Sequence, residues 1–145
     1  MIDEKILSLY KKSNKFGELL EMELTILNQG LVQYRLEIKE KHLATPLAAH
    51  GGVVAGLIDG TLGVAALSEV AERQKIVSTV ELKVNFLKPV ALGDVLIAEG
   101  HVLSAGNRLI YAEAKVTNQN DVLVAKASGT FNAYPVEKVF KNLNS

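Results

Sequence analysis

The sequence predicts an α+β fold in which a long antiparallel sheet wraps one buried helix. Three observations carry this. Two runs of alternating hydrophobicity come first, then a single helical stretch that is apolar on nearly every face, then four more strand-like runs with no internal repeat. A helix that is apolar all round must be enclosed by other elements, and an antiparallel sheet has the continuous apolar face to enclose it. The 145 residues, 48% hydrophobic and 22% charged, fit one compact domain. It is expected to span residues 1–145, with an N-terminal helix over 1–14, a core over 15–135 and a tail over 136–145.

At the start, Ile6, Leu7 and Tyr10 stand at helical spacing within Ile2 to Ser13 and predict a short amphipathic helix lying on the domain as a cover. From Leu20 the period becomes two. Leu20, Met22, Leu24 and Ile26 share one side, Asn28-Gln29-Gly30 punctuates, and Val32, Tyr34, Leu36 and Ile38 resume, which reads as a hairpin. His42, Thr45 and Pro46 mark a polar loop. The long helix opens at His50-Gly51-Gly52 and runs to about Ala71. Strands follow at Thr79–Phe86, Val95–Leu103, Leu109–Thr117 and Val122–Phe131, joined by short turns such as Ser104-Ala105-Gly106-Asn107 and Asn118-Gln119-Asn120-Asp121. In the first of these strands Val80, Leu82, Val84 and Phe86 are expected to oppose Thr79, Glu81, Lys83 and Asn85.

Composition narrows the function. Sixteen basic residues balance sixteen acidic ones with no block of like charge, so nucleic acid is not an expected partner. There is no cysteine, which removes disulfides, thiolate nucleophiles and Cys-ligated metals and suits a reducing cytoplasm. The opening residues are expected to form neither a secretory signal nor an anchor, and Val53–Leu67, interrupted by Asp59, is expected to be too short to span a membrane. His42, His50 and His101 lack metal-ligand spacing, so no metal is expected. No Gly-x-Ser-x-Gly elbow, P-loop or dinucleotide fingerprint is present.

Two anomalies remain. Paired glycines at 51 and 52 cost a helix roughly 1 kcal/mol each relative to alanine. They serve either a tight turn packed on the sheet or a ligand that approaches free N–H groups at the positive end of the helix, a place suited to developing negative charge. Asp59 is a carboxylate inside an apolar run, where burial without a partner is costly. It is either paired structurally or used chemically. A continuous helix separates Gly51 and Asp59 by eight residues, about 12 Å, whereas both groups would have to reach one reacting centre within about 3 Å. One chain cannot easily supply both. Two antiparallel copies across a twofold axis would bring Asp59 of one near Gly51 of the other, so an obligate dimer with shared sites is expected.

The segments His50-Gly51-Gly52-Val53-Val54-Ala55-Gly56-Leu57-Ile58-Asp59 and Ser78-Thr79-Val80-Glu81-Leu82-Lys83-Val84-Asn85-Phe86-Leu87-Lys88-Pro89 resemble the hotdog-fold acyl-CoA thioesterases of the phenylacetate-pathway (PaaI-like) type. The likeness covers about residues 15 to 135 in element order. It implies a sheet wrapped round a central helix, dimers joined sheet edge to sheet edge, and dimers often paired into tetramers. It also implies hydrolysis of an acyl-CoA or aryl-acyl-CoA to the free acid and coenzyme A, with no cofactor beyond the coenzyme A of the substrate. By the same resemblance the Gly51 N–H polarises the thioester carbonyl, and His50 shapes that site. Asp59 of the partner chain acts as general base on water or as nucleophile, and Thr79 orients the water or the carboxylate. Gly52 permits close approach of substrate, and Lys83, Lys88, Asn107 and Arg108 are candidate contacts to the nucleotide end. Many members have Asn six residues before the His, where this chain has Ala44. A non-catalytic acyl-CoA binding module is the alternative reading. A hotdog dehydratase is a further rival, and the lack of a second His near the helix entrance counts against it.

Overall fold

The computed structural model describes residues 2–141, so residues 142–145 of the expected tail lie outside it. Helix α1 (Glu4–Ser13) begins where the Asp3 carboxylate accepts the Lys5 and Ile6 N–H groups, a cap that satisfies two of the free donors of the first turn. It docks through Ile6 and Leu7, both buried.

A second helix, α2 (Lys15–Leu20), follows where the sequence suggested an early strand. Asn14 ends α1 with its backbone and starts α2 with its side chain, which accepts the Gly17 N–H at 3.1 Å. Glu21 then turns left-handed at φ 65° and closes the helix. Leu20 therefore belongs to α2 and not to the hairpin. Its two-residue offset from Met22 imitated a strand because the α2 cap lies outside that pattern.

The hairpin itself is present as β1 (Glu23–Asn28) and β2 (Leu31–Glu37). Gly30 takes φ 74° in the turn, a conformation costly for other residues, and its N–H bonds the Ser68 hydroxyl at 2.8 Å. Val32, Tyr34 and Leu36 face the core from alternate positions of β2.

Helix α3 (Gly51–Val70) is the central helix, continued by a 3₁₀ turn over Ala71–Arg73. Counted to Arg73 it is 23 residues, and its most apolar stretch has mean hydropathy 1.6, long and apolar enough to cross a membrane, so the expectation that it is too short does not hold. The apolarity instead matches its place in the fold, because 67% of its most apolar stretch is buried inside the protein. Gly100 shows how closely the helix sits on the sheet: a Cβ there would stand 2.9 Å from the Thr61 methyl group.

The remaining strands are β3 (Lys75–Phe86), β4 (Val95–Ala105), β5 (Leu109–Thr117) and β6 (Leu123–Pro135). The six strands form one antiparallel sheet in the order β1-β2-β4-β5-β6-β3. The long β3 starts four residues earlier than its alternation suggested, and it is an edge strand. Its register against β6 shifts between Thr79 and Glu81, leaving Val80 without a partner. This bulge breaks the expected alternation, and Val80 is 61% exposed. One six-stranded sheet curled over one helix is the hotdog architecture.

Candidate active site

The site is built where α3 passes β3. Asp59 projects from the middle of the helix, half-buried, and its Oδ1 accepts the Thr79 hydroxyl at 2.7 Å. Thr79 sits directly before the bulge, on the last residue of β3 paired with Phe131 before the register slips. Among the described residues, no hydrogen bond within the chain reaches Asp59 Oδ2. The carboxylate is thus held by one oxygen with the other open.

A pocket of about 280 Å³ lies beside the pair, floored by Gly60, Gly63 and Leu67 of α3 and walled by Ile76–Thr79 of β3. Tyr10 of α1 lines it too and also borders a smaller cavity under α2 with Asp59. Burial pushes the Tyr10 phenol upward from its ordinary range, opposed by its hydrogen bond with Tyr34 and reinforced by the negative charge of Asp59. Burial likewise raises Tyr34, which pairs with Tyr10.

The start of α3 is organised differently. His50 is the N-cap, with Nδ1 accepting the Gly52 N–H at 2.8 Å. Its own N–H bonds the His42 carbonyl at 2.8 Å. Gly52 is needed for that cap, because a Cβ there would lie 2.8 Å from His50 Nδ1. Its role inside the chain is therefore to admit the imidazole. Gly51 is the reverse case: a Cβ would meet only the Phe86 ring at 3.7 Å, and its N–H has no partner among the described residues. An exposed, unpaired N–H at a helix N-terminus is a place where negative charge is favoured.

Residues 48–125 match the Thioesterase superfamily. The chain belongs to this superfamily. The match contains both Gly51 and the Asp59–Thr79 pair. Acyl-coenzyme A thioesterase 13 of Homo sapiens is 25% identical over 116 residues, 79% of this chain and 81% of that one. A hypothetical thioesterase protein of Streptococcus pneumoniae TIGR4, solved with coenzyme A, superposes with TM-score 0.77 at 25% identity, over 86% of this chain and 96% of the other. The E. coli PaaI protein from the phenylacetic acid degradation operon shares the fold, with TM-score 0.82 at 19% identity over 90% and 91% of the two chains. The hotdog-fold thioesterase assignment made from the two sequence segments holds, and the fold is the one the PaaI protein has.

Within this thioesterase the other candidate residues fall into two groups. Lys83 and Lys88 lie toward the β3 end nearest Gly51, Lys83 reaching the Asn85 side chain at 3.2 Å. Asn107 and Arg108 lie in the β4–β5 turn, where Asn107 is held by the Lys75 ammonium through its carbonyl at 2.8 Å and its side chain at 3.0 Å. Lys75 and Lys83 are eight strand residues apart, about 26 Å, so one chain does not gather these four around a single nucleotide.

Sequence reasoning missed the covering residues. Tyr10 was counted only as a helix-face residue, and Phe16, Val139 and Phe140 were not considered, although all line the cavities beside Asp59. It also placed His42 in a polar loop. That ring is 1% exposed, accepts the Lys39 N–H at Nδ1 (2.9 Å) and sits 3.0 Å from the Leu20 carbonyl at Nε2. The pairing fixes the tautomer with hydrogen on Nε2. No spacing around His42 signals this, because both partners come from backbone. At Ala44, the position of the family Asn, the backbone N–H bonds the Ala48 carbonyl at 2.9 Å, and the Thr45 hydroxyl accepts the Ala48 N–H. The loop is held by its own backbone and the Thr45 side chain.

Proposed function

We propose that this thioesterase hydrolyses acyl-CoA to free acid and coenzyme A at two equivalent sites, each assembled from Asp59 of one chain and Gly51 of another. The observation that carries the reading is the 2.7 Å bond from Thr79 to Asp59 Oδ1, which leaves Oδ2 open beside an apolar pocket. A carboxylate so placed takes a proton from water as the water oxygen attacks the thioester carbonyl. The proton passes on to the departing thiolate. Direct attack by Oδ2 on the carbonyl, followed by hydrolysis of the resulting anhydride, uses the same geometry. In either route the negative charge on the carbonyl oxygen is received by the Gly51 N–H and the positive end of its helix.

Sharing between chains follows from distance. Gly51 and Asp59 lie on one unbroken helix, about 12 Å apart along its axis. The unpaired edge of β3 is a ready template for a second copy, and Val80 and Phe86 are 61% and 56% exposed along it. Pairing two β3 edges about a twofold axis sets two α3 helices antiparallel, the arrangement in which the two groups meet. A cytoplasmic homodimer, with further pairing into a tetramer, completes the reading.

The acyl-CoA assignment is supported by the name of the human relative and by the coenzyme A in the streptococcal structure. A binding module without catalysis would have no use for a carboxylate tethered by one oxygen. The test is thiol release from benzoyl-, phenylacetyl-, hexanoyl- and palmitoyl-CoA by the wild type and Asp59→Ala. Turnover that depends on Asp59 is expected, and equal rates from both proteins would remove Asp59 from the reaction.

A further inference from the structure

The pocket beside Asp59 has a near end and a far end. Along α3 it runs from Asp59 to Leu67, and along β3 from Thr79 back to Ile76. Eight helical residues rise about 12 Å and three strand residues about 10 Å, so both walls give the same length. The carboxylate and Thr79 mark the near end.

The far end is lined by the returning chain. Pro135 at the end of β6 pairs with Lys75 at the start of β3, and the Val136 N–H bonds the Gln74 carbonyl at 3.0 Å. The chain then turns tightly, with the Phe140 N–H on the Val136 carbonyl at 2.9 Å. Because the turn is anchored to Gln74, next to the start of β3, it brings Val139 and Phe140 to the pocket from the Ile76 side. Val139 remains 53% exposed, whereas Phe140 is half-buried and packs against the core.

We propose that this pocket is the acyl chamber and that Phe140 sets the longest acyl group it admits in full. The inference rests on the acyl-CoA reading above. An extended chain advances at most about 3.6 Å per three backbone bonds, so a chamber of about 10–12 Å holds roughly eight to ten carbons beyond the reacting carbonyl. Volume agrees with length. An apolar cavity of about 150 Å³ accommodates benzene, and this pocket of about 280 Å³ therefore has room for an aryl-acyl or medium-chain group. A palmitoyl chain exceeds it.

Phe140 is a specificity-determining residue in this account, remote from the reacting atoms, so the readout is a ratio between substrates. The test measures kcat/KM for hexanoyl-, octanoyl- and dodecanoyl-CoA, each below its micellar concentration, on the wild type, Phe140→Ala and Phe140→Trp. Phe140→Ala opens the far end and is expected to raise the dodecanoyl-to-hexanoyl ratio about tenfold, the scale of discrimination an apolar pocket achieves. Phe140→Trp is expected to lower the octanoyl-to-hexanoyl ratio. Partial unfolding moves neither ratio, since all substrates share the surviving sites. Hydrolysis by the wild type with both ratios unchanged in the variants would overturn this inference alone. No hydrolysis of any of the three by the wild type would overturn the acyl-CoA reading for these chain lengths and the chamber with it.

Discussion

Thr79 donates its hydroxyl hydrogen to Asp59 Oδ1 at 2.7 Å, across the junction between an edge strand and the central helix. A hydrogen bond to a charged acceptor is worth about 1.5–3 kcal/mol, and each 1.4 kcal/mol is tenfold in rate. Thr79 is exposed, so the lower part of that range applies.

Thr79→Val keeps the shape and removes the donor. It is expected to lower kcat by about tenfold with little change in KM, while Thr79→Ser restores the rate. Asp59→Ala removes the group that Thr79 positions and is expected to cost about 10²–10⁴ in kcat. In the Asp59→Ala background Thr79→Val should have no further effect, a non-additivity that steady-state kinetics on the double variant measures directly.

Gly51→Pro isolates the oxyanion donor. Proline is favoured at the first position of a helix because the N–H it lacks is unbonded there. The residue before it must be extended, and His50 already is, at φ −64° and ψ 135°. The variant is expected to melt at or slightly above the wild-type temperature and to lose about 10²–10³ in kcat. Thermal unfolding and thiol release on the same sample check both parts.

His42→Ala is expected to destabilise the protein without entering the chemistry. It leaves the partly buried Lys39 N–H and the buried Leu20 carbonyl without their imidazole partner, and each unsatisfied buried group costs about 1–3 kcal/mol. A loss of roughly 2–4 kcal/mol in urea unfolding is predicted, with kcat per folded molecule nearly unchanged.

Much of this was legible in the sequence, for reasons that differ by element. The helix over Gly51–Val70 was visible because twenty residues of near-continuous apolarity carry one meaning once Asp59 is set aside. Leu20 was misread because a short helix made by an Asn14 cap and a left-handed Glu21 leaves no periodic trace. Val80 looked like an inward residue of an alternating strand, and only cross-strand register shows that the bulge turns it out. Gly51, Asp59 and Thr79 stood out as residue types out of place or in a recognisable segment. Tyr10 and Phe140 did not, since an aromatic lining a pocket and an aromatic in a core have the same local pattern. They come to the site from opposite ends of the chain.

The exposed edge at Val80 bears on assembly. Lysine is a natural edge-strand deterrent to pairing, so Val80→Lys is expected to shift the proposed dimer to monomer in sedimentation velocity. Activity should fall in step with the dimer fraction.

Subunit complementation tests the shared site most directly. Asp59→Ala and Gly51→Pro chains, each nearly inactive alone, are co-expressed and assayed together. If every site draws Asp59 from one chain and Gly51 from the other, a mixed dimer contains one intact site and one doubly damaged site. Random pairing then restores about a quarter of wild-type activity per chain. Mixed dimers isolated by two affinity tags that show no more activity than the parent variants would contradict the account, because a site built within a single chain is broken in both subunits.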